Sequence, residues 1–388
     1  MRLSLLLQRE PFGQILEETM SEHWSSEGAD LKITWGKSEK CAQSWRGNIY
    51  LNFFCVDNVD SDCFEIIKRE FSHSRKRSRR LLQAAYVQTA IRAPFRNILS
   101  QVQFSVSREV PLAHEQLLIG GNRRIRLIHP KAAKSIVIQK KGFSRLGFDR
   151  EVTARSGLAA AVAPEFFGLD ESGESFSEEY FVGTPSNRFP IDQQASYVGT
   201  ARERLISEVH RPSLRTALIS EYFGQLSDSL REFSEEFSTA IVLLERWFSE
   251  HVKGASLGLV FSHGDFQDAN ILANDEVLHI IDWENATERS QLYDLATMDS
   301  GMRQTADSVL AWRNQVEKWL FDVKTVPSLE VTIKGQNEIL ALAMIWWIEE
   351  MVFQLEEGQA SSFANFNDVI VKQNADLDGV LKLLIALS

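Results

Sequence analysis

The stretch Phe261–Thr297, "FSHGDFQDANILANDEVLHIIDWENATERSQLYDLAT", decides how this chain is read. It sets His263, Asp265, Asn270, Asp282 and Asp294 among apolar runs, a density of carboxylate and amide groups that most other windows of the chain lack. "FSHGDFQDANILA" passes from an apolar segment through a polar loop to a strand. "VLHIID" is a second strand ending on Asp282, and the short connection "ANDEV" suits a hairpin turn. Asp265, Asn270 and Asp282 are therefore predicted to meet at one end of a hairpin. A carboxylate beside a hydroxyl can orient it and accept its proton, while a second carboxylate and an amide oxygen are the hard ligands that Mg²⁺ takes next to nucleotide phosphates. A lone Asp in a loop is most often a turn former. The set at this spacing points to phosphoryl transfer.

Composition limits the alternatives. The 388 residues are enough for two or three domains, and 44% hydrophobic with 24% charged residues is the balance of an ordinary globular protein. A formal net charge of −11 would repel a phosphate backbone, so nucleic acid is not an expected partner. The N-terminal "MRLSLLLQREPFG" has too short an apolar run for a secretory signal or a membrane span. The expectation is a cytoplasmic protein with no transmembrane segment. Cys41, Cys55 and Cys63 form an odd set without CxxC spacing, which indicates neither a disulfide framework nor a zinc site.

Three segments follow from the patterning. Residues 1–110 hold strand-like runs, "LKITW" and "NIYLNFFCV", and a predicted helix over "RRLLQAAYVQTAIRAPF" that Pro94 kinks or ends. They carry no catalytic pattern. Residues 111–182 have closely spaced β signals, "EQLLI", "RRIRLI" and "SIVIQKK", then a helix over "FDREVTARSGLAAAV" and the strand-like runs "EFFGL" and "EEYFV". Residues 183–388 are mainly helical apart from the opening window, with no internal repeat.

"HGDFQDANIL", "IIDWENA" and "YDLAT" together resemble the catalytic loop and metal-binding Asp of the aminoglycoside phosphotransferase and choline kinase group, whose fold is protein-kinase-like. The resemblance implies an α+β, two-lobed fold. Residues 111–182 would be a small antiparallel nucleotide-binding lobe and 183–388 a mainly helical lobe, with 1–110 an N-terminal α/β accessory segment. It implies an ATP (or GTP) and Mg²⁺-dependent enzyme that phosphorylates a small-molecule hydroxyl. Asp265 would be the catalytic base, His263 would organise the catalytic loop, Asn270 and Asp282 would hold the metal, and Asp294 would be structural.

A small lobe of this kind also needs a turn over the phosphates, a third-strand Lys, a helix Glu to hold it, and a linker for adenine. Gly120 and Gly121 in "IGGN" are the turn candidates, although a plain hairpin explains them equally. Lys140, with Lys141 as its rival, is the candidate Lys, because Ile138 and Lys140 share a strand face. Glu151 is the predicted ion-pair partner, against a solvated first-turn Glu. Tyr180, Phe181 and Val182 would offer backbone groups to adenine.

Departures from the protein-kinase pattern favour a small acceptor. Gly264 stands where protein kinases usually carry an Arg, and about a dozen residues between Asp282 and Asp294 leave no room for a peptide-docking segment. Asp268, Glu284, Glu288, Glu349 and Glu350 could make a pocket for a cationic or hydroxyl-rich acceptor lined by Trp346 and Trp347; core packing for the Trp pair and a solvated face for the acidic pair are the plainer readings. The basic run "SRKRSRR", with its charges in 75–80, could meet an anionic partner or be a solvated helix start. Two other functions remain open: a catalytically silent scaffold of the same fold, and a protein Ser/Thr kinase.

Overall fold

The computed structural model describes all residues except 1, 27–30, 40, 72–76, 276, 302, 304–306, 328–332, 334 and 361–365. The chain forms two compact units. One comprises 1–156, 163–194 and 272–281; the other comprises 157–162, 195–271 and 282–388.

The first unit is built on an antiparallel sheet of β1 (Ile33–Trp35), β2 (Gln43–Asn48), β3 (Phe53–Val56), β4 (Val102–Val106), β5 (Leu117–Gly120), β6 (Arg124–His129), β7 (Lys134–Gln139), β8 (Phe166–Leu169) and β9 (Ser175–Glu179). Among the described residues the strand order is β1-β4-β2-β3-β5-β6-β7-β9-β8. The expected separation at residue 110 is thus not a structural break, because β3 pairs with β5 through Phe54 and Leu118. One apolar core runs across it, from Leu6, Phe12 and Leu16 through Trp45 and Phe54 to Leu118, Ile125 and Ile138.

Local chemistry sets the connections. "NIYLNFFCV" is not one strand: Asn48 Oδ1 accepts from the Tyr50 and Leu51 amides, and Asn52 sits at φ 54°, so the chain turns between β2 and β3. Pro94 acts as expected for a residue without an N–H. One helix ends at Ile91 and a second, Ala93–Leu99, begins with Pro94 in its first turn. β9 runs over the polar "SFSEE" rather than "EEYFV", because Phe176 is the residue that reaches the small core of Val137 and Phe148. The order of hairpin β5–β6, strand β7, helix Leu146–Arg155 and strands β8 and β9 is the one the resemblance implies.

The second unit is mainly helical. Phe223, Phe248, Trp312, Trp319, Trp346 and Trp347 are buried in its core, and a short antiparallel sheet of Arg215–Leu218, Ser256–Ser262 and Thr287–Ser290 lies beside the helices. Among the described residues no helix is long and apolar enough to cross a membrane.

Candidate active site

Asp294 organises the loop that carries Asp265. It lies in the first turn of the helix Tyr293–Ser300, buried, and its carboxylate accepts from His210 Nε2 (3.0 Å), Ser262 Oγ (2.9 Å) and the backbone amides of His263 (2.8 Å) and Gly264 (2.9 Å). Burial alone would push this carboxyl up. The hydrogen bond and charge of His210 and the backbone amide of His263 overcome burial and hold Asp294 well below the usual carboxylate range. Four bonds to one carboxylate fix the backbone at His263 and Gly264, immediately before Asp265. Gly264 is required there: it has φ 83°, and a Cβ would run into the Asn285 carbonyl oxygen and Arg289 Nη1.

His263 is fully buried, 4.4 Å from the Trp283 ring between centroids, and its Nδ1 accepts the Asp265 amide at 3.1 Å. It therefore positions the loop from behind. The Asp265 carboxylate is met by Gln267 Nε2 at 3.1 and 3.0 Å and by Asn270 Nδ2 at 2.9 Å. Because the Asn270 nitrogen also donates to the Asp265 carbonyl (2.9 Å), its amide oxygen faces away from Asp265, the orientation a cation ligand requires.

Asn270 enters the strand Ile271–Ala273, and Asp282 follows the strand Leu278–Ile280 that pairs with it, so the hairpin brings both to one end as the sequence predicts. Asp282 has φ 69°, a left-handed conformation uncommon for a non-glycine residue and held at a cost of about 1–3 kcal/mol.

Arg303 has no signature in the sequence and was not predicted. Its Nη1 donates to Asp265 Oδ1, its Nη2 donates to the Gly264 carbonyl (2.9 Å) and to Tyr293 Oη (2.7 Å), and its Nε lies 3.0 and 3.2 Å from the two Glu350 oxygens. Tyr293 in turn donates to Glu350 at 2.8 Å. Glu350 is thereby committed to Arg303, and Glu349 to Tyr222 (2.7 Å) and to Ser290 Oγ (2.6 Å) and N (2.5 Å). Burial pushes the Glu349 carboxyl up to about 7 despite those bonds. The acidic pair is neither a solvated face nor an acceptor lining, Glu288 is on Arg215, and Trp346 and Trp347 are core residues.

In the sheet unit the predicted Lys140–Glu151 pair does not form. Lys140 is 1% exposed, with Nζ on Glu10 and on the Asn122 carbonyl (3.0 Å), 5.1 Å from the Phe12 ring centre. Glu151 is fully buried and pairs with Arg124, with Arg155 Nη1 at 3.4 Å. The physical reason is the strand face: residues 1–110 cover the side of β7 that bears Ile138 and Lys140, whereas the helix of Glu151 packs on the other side. Lys141 is not the alternative, since it pairs with Glu22 at 2.7 Å.

Gly120 ends β5 where a Cβ would press on Leu6 and Phe12, its carbonyl taken by Asn52 Nδ2 (2.8 Å). The Gly121 amide donates to the Arg124 carbonyl (2.8 Å), so "IGGN" closes as a tight hairpin. The Tyr180 amide already donates to the Ala133 carbonyl (2.8 Å), and its hydroxyl accepts from Arg69 Nη2 (3.2 Å). The Phe181 ring stands edge-on to His279, and the Val182 carbonyl accepts from Asn274 at 3.4 Å.

Residues 74–76 of the basic run lie outside the described residues; Arg79 and Arg80 are exposed on the helix Arg77–Ile91. Among the described residues, Asp60, His114 and Glu115 offer metal-ligand atoms within 4.8 Å of one another. Lys131 Nζ already supplies positive charge there, at 2.6 Å from Asp60 and 3.2 Å from Glu115.

Against this geometry, the model of the phosphotransferase enzyme family (APH) matches residues 201–317, a stretch that contains His210, Asp265, Asn270, Asp282, Asp294 and Arg303. The resemblance to this family read from the catalytic window is therefore borne out there. No curated protein sequence matches the chain. Solved structures similar to it include a choline/ethanolamine kinase family protein from Mesorhizobium loti, 16% identical, covering 70% of this chain and 91% of that one with a TM-score of 0.44. A choline kinase, LicA, from Streptococcus pneumoniae is 12% identical, covering 71% and 92%, with a TM-score of 0.40. A thermostable mutant of aminoglycoside phosphotransferase APH(4)-Ia, in ternary complex with AMP-PNP and hygromycin B, is 12% identical, covering 69% and 93%, with a TM-score of 0.46.

Proposed function

We propose that the chain is a phosphotransferase that uses ATP and Mg²⁺ to phosphorylate a hydroxyl of a small molecule. The observation that carries this reading is the loop clamped by Asp294, which presents Asp265 with Asn270 turned so that its amide oxygen faces away. The family match over 201–317 supports it. In this reading Asp265 orients the acceptor hydroxyl and takes its proton, while His263 and Asp294 hold the loop without touching substrate. Asn270 and Asp282 would hold Mg²⁺, which when bound neutralises phosphate charge. Adenine would meet the backbone of Phe181 and Val182.

A catalytically silent binding protein is the second reading, favoured by one observation: Arg303 occupies Asp265. The two readings separate in a screen of small alcohols, amino-alcohols and sugars for acceptor-stimulated nucleotide hydrolysis, with Asp265→Asn as the blank. Stimulation in the wild type that the blank loses supports the enzyme. No stimulation by any acceptor, with nucleotide still bound, supports the binding protein.

A further inference from the structure

The cation that pairs with the helix carboxylate of Glu151 sits on a different strand from the one the resemblance implies. In the β6–β7 register Arg124 faces Gln139, Arg126 faces Val137 and Ile125 faces Ile138. Directly opposed residues share a sheet face, and faces alternate along a strand. Gln139, Val137 and Arg124 therefore lie on one face, and Ile125, Ile138 and Lys140 on the other. Phe148 of the helix Leu146–Arg155 packs on Val137, which identifies the first face as the one the helix covers. The second face is closed by Phe12 and Leu16. On the helix-covered face of β7 the position that would carry a lysine is Gln139, whose Nε2 is 3.1 Å from the Ser144 carbonyl. The cation that reaches the helix carboxylate is its cross-strand neighbour, Arg124.

We propose that Arg124 is the phosphate-contacting cation of the sheet unit, supplied from β6 instead of β7 and held extended by Glu151. This rests on the phosphotransferase reading above. Arg124 is the first residue of β6, directly after the tight turn at 121–123, so its place in the chain is the mouth of the hairpin. It is 8% exposed and lies 6.0 Å from the Phe148 ring centre. Glu151 is itself shared with Arg155, which also pairs with Glu178, and Arg126 pairs with Glu178 in turn. Burial would raise the Glu151 carboxyl, yet the charges of Arg124 and Arg155 keep it lowered, so it stays an anion that can hold a cation in place. A guanidinium has five donors in a fixed fork. It can keep a carboxylate on one edge and offer another to phosphate oxygens, which a lysine ammonium does with less directional control.

The test is calorimetry of the full chain with MgATP and with adenosine, which has the base and sugar but no phosphate. Arg124→Met should weaken MgATP at least tenfold and adenosine less than twofold. Arg124→Met with Gln139→Lys, which returns a cation to β7, should recover most of the MgATP loss. Should Arg124→Met fail to fold with Glu151 left unpaired, Arg124→Met with Glu151→Met removes both charges and should show the same selective loss, because a well-packed apolar pair can replace a buried ion pair. A folded variant of either kind that binds MgATP like the wild type overturns the proposal, as does equal weakening of both ligands, the mark of a purely structural role. A wild-type chain that binds no nucleotide with Mg²⁺ overturns the phosphotransferase reading itself, and this proposal with it.

Discussion

Arg303 Nη1 donates to Oδ1 of Asp265 while Nε of the same guanidinium lies 3.0 Å from Glu350, so one arginine joins the proposed base to a buried carboxylate of a distant helix. The Arg303 side chain is 19% exposed and that of Glu350 is 3% exposed. Removing the arginine strands a buried anion, and breaking such a pair is costly where replacing both members need not be. Arg303→Met is expected to lower stability by roughly 2–4 kcal/mol, somewhat less than for a fully buried pair. Arg303→Met with Glu350→Gln should recover more than half of that loss. Urea unfolding of the three proteins checks this. A double variant as unstable as the single one would show that Glu350 is not the group left stranded.

Asp265→Asn keeps the size of the side chain and removes the proposed base. Positioned acid–base groups contribute about 10²- to 10⁴-fold, so turnover should fall in that range while nucleotide affinity stays within a few-fold of the wild type. Steady-state rates alongside calorimetry separate the two effects. Wild-type turnover in the folded variant would remove Asp265 from the chemistry.

Gly264→Ala places a Cβ at φ 83° against the Asn285 carbonyl. The left-handed backbone alone costs about 1–3 kcal/mol for a residue that disfavours it, and the close approach adds to that. The melting temperature should drop by several degrees, and turnover should fall more than nucleotide affinity, because the displaced segment is the one that carries Asp265. An alanine variant with wild-type melting and turnover would refute the tight-loop account.

Glu349 provides a pH prediction. Its folded-state pKa of about 7 lies above the ordinary value of 4.5, so the native protein binds the extra proton between those limits. Its contribution to stability is therefore present at low pH, falls as pH rises from about 4.5 to 7, and stays lost above 7. Glu349→Gln mimics the protonated form and should flatten that part of the profile, melting a few degrees above the wild type at pH 8 and close to it at pH 5. Parallel melting profiles for the two proteins would show that Glu349 titrates normally.

The contrast between the loop and the sheet explains what the sequence made legible. The placement of Asp265, Asn270, Asp282 and Asp294 could be read because it is set by backbone spacing, through a loop, a hairpin and a helix start that all lie within one window. The partner of Lys140 could not be read, because "SIVIQ" is apolar at successive positions and alternation does not say which face is covered by what. The answer depended on residues 1–110, more than a hundred positions away in the case of Glu10. Arg303 and His210 left no signal because their significance is only the distance to Asp265 and Asp294. Glu349 and Glu350 looked like surface charge because nothing local announces Tyr222, Ser290 or Arg303 as their partners.

The pairing of β3 with β5 has a consequence for inheritance. Leu118, Ile125 and Ile138 are apolar on a face that Leu6, Phe12 and Leu16 of the N-terminal segment help to close. A chain beginning at Pro111 would expose that face together with an unpaired strand edge, the combination that drives edge-to-edge aggregation. The N-terminal segment is therefore not a cassette that evolution or an engineer can exchange freely. Any substitution of one half must match the other, strand for strand, along the β3–β5 seam.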